Sequence, residues 1–135
     1  MAFLKLNLKL STNLKPDLHQ LAASNVKEVR ARLPAELRAA SEPVVTLYQG
    51  MPDQAVLEQG FEPDLLGLFE GASRLEADPR LSDPPPRIIL YLDNLWDLAE
   101  GDPLTFGEEV RTTYLHELGH FLGFDEDDLA LRNLD

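Results

Sequence analysis

Two imidazoles and a carboxylate come close together at His116-Glu117-Leu118-Gly119-His120, and the run continues through Phe121-Leu122-Gly123-Phe124-Asp125-Glu126. The pattern is His-Glu-x-x-His-x-x-Gly-x-x-Glu, the ligand spacing of a catalytic zinc site. On a helix, at about 100° per residue, His116 and His120 fall one turn apart on the same face. Both rings can then reach a single Zn²⁺ at roughly 2.0–2.1 Å. Glu117 lies beside that line, where its carboxylate serves as general base toward a metal-bound water instead of ligating the ion.

A hydrolytic zinc takes three protein ligands and keeps one position for water, yet a helix that simply continued would carry the chain past the ion. Glycine adopts positive φ without steric cost, so Gly123 can close the helix with a left-handed cap and turn the chain back. Glu126 then falls where the third ligand is needed, with Asp125 and Asp127 as alternatives. The negative end of the helix dipole adds a modest attraction for the cation. Two histidines four apart also occur on ordinary half-buried helices. Here the chain has three histidines in all, two of them inside the motif with Glu and Gly at its other demanding positions, which favours the metal site. The third, His19, has no neighbour at metal spacing and reads as structural.

The elements that must position these groups are legible from pattern. From Pro16 to Arg32, Leu18, Leu21, Ala22, Val26 and Val29 recur at helical spacing, and Leu33-Pro34 ends that helix before a short one over Ala35 to Ala40. Val44 to Gln49, Leu65 to Glu70 and Arg87 to Leu92 read as strands, the last introduced by Pro84-Pro-Pro86. Gly71 to Pro86 is a polar, proline-rich surface loop, of a length typical of lids or disordered segments. The motif helix begins near Thr105. It turns Phe106, Val110, Tyr114, Leu118, Phe121 and Leu122 to a core, with Glu109, Thr113, His116 and His120 on the neighbouring stripe. Leu4, Leu6, Leu8 and Leu10 alternate as in a short strand or a docked arm.

Composition narrows the class. A chain of 135 residues, 44% hydrophobic, supports one core, so a single domain spanning residues 1–135 is expected. Without cysteine there are no disulfides or thiolate zinc sites, and a reducing cytoplasm fits. No apolar run approaches about 20 residues, and lysines interrupt Phe3 to Leu10 where a signal peptide needs continuous apolar sequence. The expectation is a soluble cytoplasmic protein with no membrane partner. A net charge of −12 repels phosphate backbones, so nucleic acid is not an expected partner, whereas a cationic substrate or partner would be attracted. Nothing in the sequence signals an oligomeric state.

Three stretches, Leu65-Leu-Gly-Leu-Phe-Glu-Gly71, Pro86-Arg-Ile-Ile-Leu-Tyr91 and Glu109 to Glu126, resemble the small bacterial zincin-like metallopeptidase family. The resemblance runs from about Leu18 onward and leaves residues 1–12 outside as an arm or strand. It implies an α+β fold of the minimal zincin kind. Its small mixed β-sheet of about three to four strands packs with an N-terminal helix and a C-terminal zinc-binding helix. It also implies His116 and His120 as zinc ligands and Glu117 as catalytic base. The family commonly has Asp at the third ligand position, where this sequence has Glu126. A metzincin would place His at position 126 and a methionine turn downstream. Here the only methionines are Met1 and Met51, which excludes a methionine floor. Larger zincins often stabilise the oxyanion with a tyrosine or histidine from outside the helix, and Tyr91 is the residue to consider for that role.

The implied activity is zinc-dependent hydrolysis of peptide bonds. The substrate would be a peptide or small protein paired with a sheet edge at Leu65 to Glu70 or Arg87 to Leu92. The alternative is a non-catalytic, metal-stabilised interaction domain, because so short a chain leaves little room for a second lobe to wall a cleft. A third class is a metal-dependent endoribonuclease. His116-x-x-x-His120-x-x-Gly-Phe-Asp125 also resembles the bacterial ribosomal-RNA-maturation family, but that family has a third His at position 126 and lacks the glutamate after the first. The acidic charge opposes RNA as well.

Overall fold

A computed structural model describes residues 16–81 and 84–124. The expected Leu4–Leu10 strand or arm and the third-ligand candidates Glu126, Asp125 and Asp127 lie outside the described residues.

Helix α1 (Leu18–Arg32) starts where Asp17 caps it, its carboxylate accepting the Gln20 N–H at 3.0 Å. Leu18, Ala22, Val26 and Val29 form its buried stripe. Leu33 is extended, as a residue before proline prefers to be, and α2 (Ala35–Ser41) follows Pro34. The sheet comprises β1 (Val45–Gln49), β2 (Gly67–Glu70) and β3 (Arg87–Tyr91), all within the expected runs. Its order is β1-β3-β2, with β1 parallel and β2 antiparallel to β3. The sheet is therefore small and mixed, as the family resemblance implied.

β3 is central because its apolar run satisfies both faces. Ile88 and Leu90 point to the face covered by α1 and the motif helix, while Ile89 and Tyr91 join Val56 and Leu68 on the other. Two short helices were not anticipated. α3 (Gln54–Glu58), capped by Asp53, brings Val56 to that second face. α4 (Leu92–Leu98) begins directly at the end of β3. A 3₁₀ turn at Pro79–Leu81 lies within the proline-rich loop.

The motif helix α5 (Pro103–Phe121) begins two residues before Thr105, with Pro103 in its first turn and Asp102 as cap. Phe106, Val110, Tyr114, Leu118, Phe121 and Leu122 are all buried, as their spacing predicted. Full burial of each large apolar side chain contributes about 1.5–3 kcal/mol, so α5 is a rigid base for what it presents on its other side. Polar ties also hold α1 to it. Arg30 donates to the Tyr114 hydroxyl at 2.8 Å, and Arg111 donates to the Asn25 side chain. Burial pushes the Tyr114 phenol above its usual range, partly offset by Arg30, so it stays protonated and bonded.

Candidate metal centre

His116, Glu117 and His120 leave α5 on the stripe beside its buried face, each half-buried. One ligand-type atom from each lies within 4.8 Å of the others, a group capable of coordinating a metal ion. The imidazole rings stand 5.0 Å apart between centroids and are inclined by 78°. Two imidazoles and carboxylates without thiolate are a donor set that suits zinc. No other group of this kind occurs among the described residues, and His19 instead sets its ring edge-on to Tyr48 at 4.6 Å.

The helix ends as Gly123 foretold. Its φ is +94°, the Gly123 N–H bonds to His120 O at 3.0 Å, and the Phe124 N–H bonds to Gly119 O at 2.9 Å. This is a Schellman closure, and it reverses the chain immediately after the second histidine. The proline-rich loop docks here too, with the Arg74 N–H on Phe121 O at 2.9 Å.

Strand β2 supplies the opposite wall, and Gly67 allows its close approach. A Cβ at that position would lie 2.6 Å from Thr113 Cγ2 and 3.5 Å from Glu117 Cγ. Just before β2, Leu66 O accepts the Tyr91 N–H at 3.0 Å. Antiparallel alternation then turns the peptide groups of Leu68 and Glu70 toward β3 and those of Gly67 and Phe69 outward. The Phe69 N–H accordingly reaches Glu117 Oε1 at 3.1 Å, tying the carboxylate to the outer edge of the sheet. Neither Gly67 nor this amide was singled out from sequence. A glycine inside an apolar strand was the available signal for close backbone approach.

A cavity of about 510 Å³ opens along this edge over Phe69, Ser73, Glu76 and the three motif side chains. A second, of about 400 Å³, adjoins it over Leu66, Thr112 and Thr113, sharing Leu65, Gly67, His116 and Glu117. Glu76 is held below the usual carboxylate range by the Ser73 N–H it accepts at 3.0 Å.

Two expectations are corrected. Tyr91 cannot serve an oxyanion at this centre: strand alternation buries its ring with Val56, Leu68 and Ile89 on the face turned away from α5. Burial also raises its phenol above the usual range. Nor can Arg87 to Leu92 receive a substrate strand, because β3 is paired on both sides. The edge beside the motif belongs to β2.

Residues 34–134 match the zincin-like metallopeptidase family. The chain belongs to that family. The match takes in β1 to β3 and the whole metal-binding motif of this zincin-like chain, but begins after α1, later than the resemblance from Leu18 suggested. No curated protein matches the chain. No helix among its described residues is long and apolar enough to cross a membrane.

Proposed function

We propose that the chain is a zinc-dependent metallopeptidase acting on peptides or small proteins, with the whole of residues 1–135 as one domain. The observation that carries this reading is the convergence of His116, Glu117 and His120 at the outer edge of β2, which pairs with no further strand among the described residues. His116 and His120 hold the ion through ring nitrogens, and Glu126, beyond the Gly123 reversal, is the third ligand. When bound, zinc supplies Lewis acidity, polarising a carbonyl and lowering the pKa of water to about 7.

An extended peptide adds to β2 through the outward-facing peptide groups of Gly67 and the Phe69 carbonyl, which brings its own carbonyl over the motif. Glu117 takes the proton of the attacking water and delivers it to the leaving amine. The Phe69 N–H pins that carboxylate, so little reorientation is needed at the moment of transfer. The acidic chain, with no lysine or arginine along this wall among the described residues, does not favour the endoribonuclease alternative.

The test is a mixed peptide library digested by the zinc-loaded chain and by the same sample after chelation. Cleavage that requires zinc and returns on its re-addition is expected. A chain that holds zinc and cleaves nothing would be an interaction domain instead.

A further inference from the structure

The cavity over Leu65 and Thr113 leads away from His116 to one acidic side chain, Asp64, which is exposed at its rim and has no hydrogen bond or ion pair among the described residues. Its place is built rather than incidental. Asn94, buried on α4, donates its amide hydrogens to Pro63 O at 2.7 Å and Leu65 O at 2.9 Å, the carbonyls on either side of Asp64. The Leu65 N–H closes the same turn on Glu62 O at 3.2 Å. A charge on so constrained a turn loses little further backbone entropy when it pairs.

The surroundings share one sign. Past Asp64 the trough continues over Leu66 to Asp97, and Glu76 lines its other end together with the histidines. No lysine or arginine lines any part of it among the described residues. A net charge of −12 adds a long-range field of the same sign. The cavity that holds both Glu117 and Asp64 is lined otherwise by Leu65, Leu66, Gly67, Thr112, Thr113 and His116, a mainly apolar lining with an anion at its rim. That sequence of environments fits a side chain with an aliphatic stem and a cationic tip. A plain aliphatic chain would fill the walls and leave Asp64 unused, and an acidic one would be repelled.

We propose that Asp64 makes this site select peptides carrying lysine or arginine beside the cleaved bond, the stem lying in the cavity beside Thr113 and the cation on the carboxylate. The proposal rests on the metallopeptidase reading and names its substrate class. Because Asp64 is exposed, the selectivity it confers is about two- to fivefold at low salt, shrinking as salt rises.

The experiment compares peptides that differ only in Arg, Lys, norleucine or Glu at each position flanking the bond, cleaved by the zinc-loaded chain and by Asp64→Asn and Asp64→Lys. Expected is a preference for Arg and Lys at one position, flattened by Asp64→Asn and turned toward Glu by Asp64→Lys. A profile indifferent to charge, or a basic preference that survives both substitutions, overturns the proposal. Binding of fluorescent Arg and Glu peptides to zinc-loaded Glu117→Gln, with and without Asp64→Lys, gives a readout independent of turnover. If the chain cleaves nothing, the metallopeptidase reading fails, and equal binding of Arg and Glu peptides in this second arm then overturns the role of Asp64 separately.

Discussion

As the proposed general base, Glu117 must be close enough to a metal to reach its water, yet be kept from ligating the ion itself. Its place between the two histidines, off their line, sets the offset, and the Phe69 N–H at 3.1 Å draws one carboxylate oxygen to the sheet edge. In the proposed mechanism the ligands are His116, His120 and Glu126 beyond Gly123. Zinc content after exhaustive dialysis is therefore expected to fall sharply in His116→Ala and Glu126→Ala, and far less in Asp127→Ala. If Asp127→Ala is the damaging change, the reversal has a different register. Tyr91 offers a contrasting case. Its hydroxyl is buried without a hydrogen-bond partner among the described residues, on the far side of the sheet. An unsatisfied buried group costs about 1–3 kcal/mol, so Tyr91→Phe should match or exceed the wild type in denaturant stability. Its activity should be unchanged, and a large fall in kcat would restore Tyr91 to the centre.

At the scale of elements, the site depends on α5 and β2 meeting without a side chain between them. Gly67→Ala forces a Cβ to within 2.6 Å of Thr113 Cγ2, so the Thr113 side chain, the strand or the helix must shift. Overpacking of this kind costs about 1–3 kcal/mol, and kcat/KM should drop with the unfolding midpoint because Glu117 moves from Phe69. An unaltered midpoint would mean that the contact is looser than described. The start of α5 has its own pH signature. Hydrogen bonds from Thr105 hold the Asp102 carboxylate below the usual range, so the cap's contribution is full above the ordinary carboxylate pKa and is lost as pH falls through the lowered one. The Tm difference between wild type and Asp102→Ala should accordingly be present at neutral pH and close in strong acid; a constant gap would contradict this. The buried stripe of α5 was legible in the sequence as a pattern of period 3.6, and the three strands as short runs rich in aliphatic and aromatic residues. α3, at five residues, is too short for an apolar period to repeat, though Asp53 before it was a cap signal. The strand order, which makes β2 rather than β3 the free edge, follows from pairing between distant segments that no local pattern encodes.

For the molecule as a whole, the metal-binding pattern was readable because its ligand chemistry demands particular residues at fixed spacing on one helix. What surrounds it was not, since the Glu117 contact joins residues 48 apart in sequence. The family match spans residues 34–134, and α1, ahead of it, is bound in by its buried stripe and by the Arg30–Tyr114 bond. Charge acts at the same scale, since a chain at −12 draws in cations and repels polyanions. The central claim is that Glu117 moves the proton. The most direct measurement is peptide hydrolysis by wild type and Glu117→Gln, each shown to carry one zinc per chain. The amide keeps the shape and cannot accept the proton, so turnover should fall on the order of 10²–10⁴-fold with fold and zinc content intact. Wild-type turnover by a zinc-loaded Glu117→Gln protein would contradict the mechanism outright.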